Sequence, residues 1–362
     1  MERATRAVYE ARAADWAEHR PPSRPELAVA FSRRCLPGLP IADLGCGPGS
    51  YFAGLRRPLI GLDGAAAMLD LARRTAPDAL LVQADLAAIP FRRGRLGGAW
   101  ARASFLHVAR STLPIALAQL HAALAPGAPL EMSLLRGAGE GPLPDDDFPG
   151  RHFVLWEPDE LGRVTTGAGF DTDTTEQGEW VIVRARRALT LPDFVGPRMR
   201  ILVCGLNPSV VSAEAGFGYA RGNNRFWRAA VASGLVGAAA GQRPLRALRE
   251  HGVGMTDLVK RATPGAAELT RAEYRAGAER VAHLVSWLSP RLTLFVGLDG
   301  WRAAVDRGAG PGVQPGLFGG APAYVMPSTS GRNARTTLEQ LTEHMRAALR
   351  LADAPPRPVA QT

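Results

Sequence analysis

ILVCGLNPSVVSAEAGFGYARGNNRFW, residues 201–227, is the stretch from which the chain can be read outward. Its first four residues, Ile201 to Cys204, are apolar and stop at Gly205, the pattern of a short buried strand. Gly-Leu-Asn-Pro-Ser then forces a turn. Pro208 has no amide hydrogen to give a sheet, and Asn207, standing before it, is kept out of helical geometry. An amide side chain is thereby expected at the carboxyl end of a strand, where open α/β sheets place their ligands. Tyr219 follows in a glycine-rich loop, and Asn223, Asn224, Arg225, Phe226 and Trp227 open a helix.

Downstream, strands and helices alternate. Leu245–His251 reads as a short helix, Arg271–Leu288 as a long amphipathic one, and Leu292–Leu298 as a strand followed by a helix from Gly300. Arg307–Pro322 is expected to be a Gly/Pro-rich loop, Pro322–Ser328 a last strand and Thr336–Leu351 a last helix. Two further motifs stand in this half: HGVGMTDLVKRAT, 251–263, and VMPSTSGRNA, 325–334. With GLNPS and GYARGNNRFW they resemble the mismatch-specific uracil/thymine DNA glycosylases, a branch of the uracil-DNA glycosylase superfamily, over Leu191 to Leu351. The resemblance implies an α/β/α sandwich over 189–352 that removes uracil, and more weakly thymine or modified pyrimidines, from mismatches with guanine in double-stranded DNA. It makes Asn207 the residue that holds the attacking water and Gly205, Leu206, Ser212 and Tyr219 the base pocket. Tyr219 would stack on the base, unless it is a core aromatic. Ser212 would face the C5 edge of the pyrimidine and disfavour thymine. Ser328, Ser330, Gly331 and Arg332 would meet DNA, with Arg332 either inserted into the duplex or held on a phosphate. Asn223 and Arg225 would orient the pocket loop or the strand, or cap the helix that follows. Ser209 stands where the family usually has glycine, which puts the loop's geometry in question. Lys260 is the only lysine. A Schiff-base lyase needs a positioned amine, so a monofunctional hydrolase is expected.

Upstream, Ile41–Leu55, IADLGCGPGSYFAGL, reads as a strand, a glycine-rich turn and a helix start. Asp43 precedes the turn, Asp63 ends a second strand and Asp85 a third. Together with Gly45, Gly47 and Gly49 these acids resemble a class I S-adenosylmethionine-dependent methyltransferase, a Rossmann-like α/β sheet domain, over 1–188. The resemblance implies S-adenosylmethionine as cofactor, the glycines admitting its methionine part, Asp63 holding the ribose hydroxyls and Asp85 the adenine amino group. A side chain at the glycines would occupy the cofactor's space. The methyl acceptor is not named by these residues. His107 falls where such enzymes often place substrate-facing residues, although a single histidine is more commonly structural. A vestigial cofactor domain beside a working glycosylase, or a methyltransferase whose second half only binds DNA, are the alternatives.

Two α/β domains fit 362 residues. Thr190–Arg200 reads as a linker between them, and 353–362 as a disordered tail. Residues 1–197 carry 22 Arg against 23 acids, whereas 198–352 carry 20 Lys plus Arg against 10 acids. The positive excess therefore lies with the glycosylase-like motifs, where phosphates would be met. Three cysteines without metal-ligand spacing argue against a disulfide framework, a zinc site or an iron–sulfur cluster. No apolar run has the length of a membrane span and the first residues form no apolar signal core, so a cytoplasmic protein, on the nucleoid when bound to DNA, is expected.

Overall fold

A computed structural model describes residues 2–355. The chain divides into two compact units, Met1–Ala188 and Leu189–Thr362, each built on its own sheet.

The first unit holds β1 (Ile41–Leu44), β2 (Leu59–Asp63), β3 (Leu80–Gln83), β4 (Gly98–Arg102), β5 (Pro129–Arg136), β6 (Glu140–Gly141), β7 (Phe153–Trp156), β8 (Phe170–Gln177) and β9 (Trp180–Arg187). The strands run in the order β3-β2-β1-β4-β5-β7-β6, and β9 pairs antiparallel with both β5 and β8. β1 lies between β2 and β4, both parallel to it, so the strand order reverses at its carboxyl end. That reversal opens the crevice in which α/β sheets bind ligands. The helix expected after the glycine turn is only a 3-10 turn, Phe52–Gly54. Gly54 lies against the Pro25 carbonyl and Ala28, where a Cβ would not fit, and Pro58 follows shortly, so no room remains for a full helix. Arg3–Ala11, Ala13–His19 and Glu26–Arg34 form three helices ahead of the sheet.

The second unit holds β10 (Ile201–Gly205), β11 (Val253–Asp257), β12 (Thr293–Val296), β13 (Gly312–Phe318) and β14 (Ala321–Met326), in the order β11-β10-β12-β14-β13. Successive side chains of a strand face opposite ways. Ile201 and Val203 accordingly join a core with Phe226, Trp227, Leu341 and Met345, while Leu202 and Cys204 join one with Val281, Val285 and Trp301 on the other face. With helices 226–232 and 338–353 on one side and 271–288 and 298–304 on the other, this is an α/β/α sandwich. β10 sits between parallel β11 and β12, so a second switch point lies at the end of β10.

Three expectations are corrected. The span 307–322 contains β13, an edge strand antiparallel to β14 whose register shifts between Val313 and Leu317, at Pro315 and Gly316. Edges and bulges are where a sheet accepts proline. The span 190–200 is no linker: Leu191, Asp193, Val195 and Met199 are buried, and Phe194 bridges Met255. The last helix runs Leu338–Asp353, its end fixed by the Asp353 pair with Arg200. Residues 353–355 thus belong to ordered chain, and the rest of the expected tail lies outside the described residues.

Candidate functional site

At the end of β1, Gly45 and Cys46 donate their amides to the Leu62 carbonyl at 2.7 and 3.0 Å, and Gly47 donates to Asp63 Oδ2 at 2.9 Å. Asp63 Oδ1 takes the Ala65 amide at 2.9 Å. The loop is thus laced onto the end of β2, while each carboxylate oxygen keeps a lone pair for a further donor. A cavity of about 300 Å³ opens here, walled among others by Gly45, Gly47, Asp63, Ser104 and, from the N-terminal segment, Tyr9 and Trp16. The three glycines differ. All have positive φ, at 74, 52 and 81°. A Cβ on Gly47 would meet nothing within 4 Å, whereas on Gly45 it would strike Ser104 and on Gly49 the Phe52 ring at 2.7 Å. A side chain is thus excluded for different reasons: at Gly45 and Gly49 the protein itself fills the space, whereas at Gly47 the space beyond the backbone is open. Asp85 is exposed, takes the Ala87 amide and lines an adjoining cavity with Arg3, Arg6 and Gln83.

Asp43 is buried, its Oδ2 meets no hydrogen-bond partner, and burial with Asp63 nearby pushes its carboxyl up to about 8. Ser104 Oγ is likewise buried without a partner. His107 is spoken for on both sides. Its Nδ1 lies 2.6 Å from the His152 carbonyl, so it must be the donor there, and Nε2 accepts from the Tyr9 hydroxyl at 2.7 Å. Arg151 donates to the same hydroxyl at 3.0 Å and pairs with Asp146. Burial holds His107 down to about 4, so it is a neutral structural group rather than a base.

At the end of β10, Asn207 Nδ2 points at the carbonyls of Arg261 (3.0 Å) and Pro208 (3.2 Å) and at Thr263 Oγ1 (2.8 Å). Carbonyls only accept, so the amide orientation is fixed. Its Oδ1 meets no protein donor among the described residues. Ser209, in extended geometry with φ −73°, caps the helix Val210–Ala215 through its hydroxyl, and nothing there requires glycine. Leu206 packs its side chain against the core beside Gly300 and Leu258.

Ser212 requires a correction. It is buried, and its hydroxyl binds Ser209 Oγ at 3.1 Å and the Ala220 amide at 3.2 Å. It is therefore not an unpartnered group awaiting a methyl; it ties down the loop after Tyr219. Trp227 Nε1 grips the Gly218 carbonyl before it at 2.9 Å. Between these ties Tyr219 adopts φ +61° and stacks on Phe226 with centroids 4.0 Å apart.

The loop 327–334 is shaped from within. Ser328 and Ser330 hydroxyls accept the amides of Ser330 and Arg332, both at 3.3 Å, and so keep their own protons to donate. Gly331 packs so closely on Asn223 that a Cβ would lie 2.6 Å from its Nδ2. Arg225 turns inward to the carbonyls of Ser330 (3.0 Å), Asn333 (2.7 Å) and Thr336. It is a clamp on the loop, not a DNA-facing group, and the following helix takes its cap from Asn224 instead. Arg332 stays exposed. Lys260 and Arg280 pair with Asp193 at 2.8 and 2.6 Å. Burial works against the charge on Asp193, but the two cations outweigh it and hold the carboxyl below the usual range. Asp257, missed in the sequence, stands beside Gly205 because β10 and β11 pair these residues. No spacing rule reveals that register.

Among solved structures, a DhpI–SAH complex is 23% identical, with 51% of this chain and 96% of that one covered and a TM-score of 0.42. A complex of the Haloferax volcanii Trm112 methyltransferase activator with a putative methyltransferase gives 17%, 51%, 97% and 0.41. An S-adenosylmethionine-dependent methyltransferase from Mesorhizobium loti gives 20%, 44%, 96% and 0.36. The family model of a methyltransferase domain matches residues 41–127. That of the uracil DNA glycosylase superfamily matches 192–351. No helix among the described residues is long and apolar enough to cross a membrane. One chain thus joins a methyltransferase domain to a domain of the uracil DNA glycosylase superfamily.

Proposed function

We propose that the second unit is a monofunctional DNA glycosylase that excises uracil, and more weakly thymine or modified pyrimidines, from mismatches with guanine. The observation that carries this is the fixed amide of Asn207, whose oxygen is left open at the strand-order reversal beside β10. The target nucleotide leaves the duplex, at a cost of a few kcal/mol that a mismatch lowers. Asn207 Oδ1 then accepts a hydrogen bond from water and aims its oxygen at C1′ of the sugar. An amide is a poor general base, so the water attacks only as the bond to the base loosens. Ser328 and Ser330 donate to phosphates, and Arg332 reaches the duplex. Asn207→Ala should slow single-turnover excision from a G·U duplex by about a hundredfold or more while leaving duplex affinity within a few fold. Retention of most of the rate would remove Asn207 from the reaction.

The first unit, on this proposal, binds S-adenosylmethionine and transfers its methyl group to an acceptor that these residues do not name. Its cavity fits such a ligand: Gly47 presents bare backbone to it, and the Ser104 hydroxyl in its wall is buried without a partner of its own. The cofactor would supply an electrophilic methyl on a sulfonium. Asp63 would hold the ribose hydroxyls, Asp85 the adenine amino group, and the 45–49 loop the methionine part. His107, committed to Tyr9, would not deprotonate the acceptor.

A further inference from the structure

Arg102 ends β4, and its side chain lines the cavity of the first unit. It is partly buried, yet its guanidinium has no hydrogen bond or ion pair among the described residues. Glu131, set on β5 opposite Trp100, is taken by Arg34 and, at 3.7 Å, by Arg184. The second guanidinium in the cavity wall, Arg20, pairs with Asp147. The carboxylate in the wall, Asp63, has both oxygens on main-chain amides. Directly after Arg102 the chain turns left-handed at Ala103, φ +50°, whose amide is held by Ser133 Oγ at 3.0 Å. The strand end is thus fixed, and it presents a cation that is partly withdrawn from water without a counter-ion. Such a charge is unfavourable until an anion completes it.

The wall supplies no base to match. His107 gives its Nδ1 proton to one carbonyl and accepts on Nε2. The Tyr9 hydroxyl that donates to it is pushed up to about 12 by burial. Tyr51 donates to the Ser23 carbonyl, and burial pushes the Cys46 thiol up. Asp63 is given to the ribose hydroxyls on the reading above. An alcohol, thiol or ammonium acceptor, which has to lose a proton before it attacks, would find nothing here to take it.

We propose that the methyl acceptor is a carboxylate, held in the fork of the Arg102 guanidinium and methylated on oxygen to an ester. This rests on the methyltransferase reading of the first unit. A carboxylic acid is already ionised at neutral pH and needs no base. Its two oxygens match the paired donors of one guanidinium. A phosphate monoester would bring a second charge that no other unpaired cation in the wall meets. In the step, a carboxylate lone pair forms the O–CH₃ bond as the S–CH₃ bond breaks and its electron pair stays on sulfur. Carboxylate and sulfonium become neutral ester and neutral thioether, and no proton moves. Arg102 therefore binds a charge that fades in the transition state. It serves acceptor affinity rather than the rate of the chemical step.

The test uses the full chain saturated with S-adenosylhomocysteine, so that acceptors bind without turning over. Benzoate, phenylacetate and hexanoate are compared by calorimetry with benzamide, phenylacetamide and hexanamide, their uncharged counterparts, and with phenylphosphonate. At least one carboxylate should bind about tenfold or more tighter than its amide. Arg102→Gln should bring that carboxylate down to the level of its amide, with affinities for the amide and for S-adenosylhomocysteine held within about twofold. Arg102→Lys, which keeps the charge without the fork, should recover part of the preference. With S-adenosylmethionine in place, the preferred acid should emerge as its methyl ester, and Arg102→Gln should raise its KM about tenfold with kcat held. No binding by any acid, or equal affinities for every acid and its amide, would overturn the proposal. So would a preference that survives in Arg102→Gln, or a loss confined to kcat. Tighter binding of phenylphosphonate than of every carboxylate would overturn the choice of a carboxylate. A chain that binds no S-adenosylhomocysteine would instead overturn the methyltransferase reading itself.

Discussion

Tyr219 is held in left-handed backbone, a conformation that costs a non-glycine residue about 1–3 kcal/mol and persists only where neighbours insist on it. The neighbours are Trp227, through the Gly218 carbonyl, and Ser212, through the Ala220 amide. A Ser212→Ala change removes one of these ties, roughly 1 kcal/mol of hydrogen bonding. It should slow uracil and thymine excision alike, by about fivefold, rather than narrow the gap between them. Parallel single-turnover rates on G·U and G·T duplexes decide the matter, and a selective gain on thymine would restore the hydroxyl to the C5 edge. Asn207 could be read from the chain alone because the proline after it dictates local geometry. Ser212 and Asp257 could not: the partners of the one and the position of the other depend on a loop closure and a strand register, which are tertiary events.

Arg225 works at the level of the whole 327–334 loop. Three carbonyls converge on its guanidinium, and the exposed Arg332 rides on the backbone so fixed. The two arginines should therefore fail differently. Arg332→Ala should reduce the slope of log affinity against log salt by about one. Arg225→Met should weaken excision and duplex binding while leaving that slope unchanged. Equal slope losses would make Arg225 a phosphate ligand. The alternation of strands and helices was plain in the sequence because hydrophobic periodicity is local. The edge strand β13 was hidden by Pro315 and Gly316, residues that mark loops elsewhere and are tolerated here by a register shift. Thr190–Arg200 looked like a linker because its prolines and charges carry no trace of Asp193's partners, which arrive from 67 and 87 positions downstream.

Across the molecule, charge and chemistry divide together. The surplus of arginine lies in 198–352, and the cavity lined by Asp63 lies in the other unit. A fragment spanning 189–362 should keep nearly all the duplex affinity of the full chain, with its steep fall in salt. A fragment spanning 1–188 should show little of it and should instead release heat on titration with S-adenosylmethionine. Matching duplex affinities in the two fragments would break the division. Beginning the second fragment at 198 would discard Asp193 and leave two buried cations uncompensated, a loss of about 3–5 kcal/mol by the usual measure of broken buried pairs. The same acid has a chemical consequence. It engages the ammonium of the one lysine side chain in the sequence, so that amine is withheld from any aldehyde nearby. An opened deoxyribose would find no lysine partner for an imine, and the strand should leave this protein whole, with a gap in its lettering but none in its thread, to be cut by another catalyst.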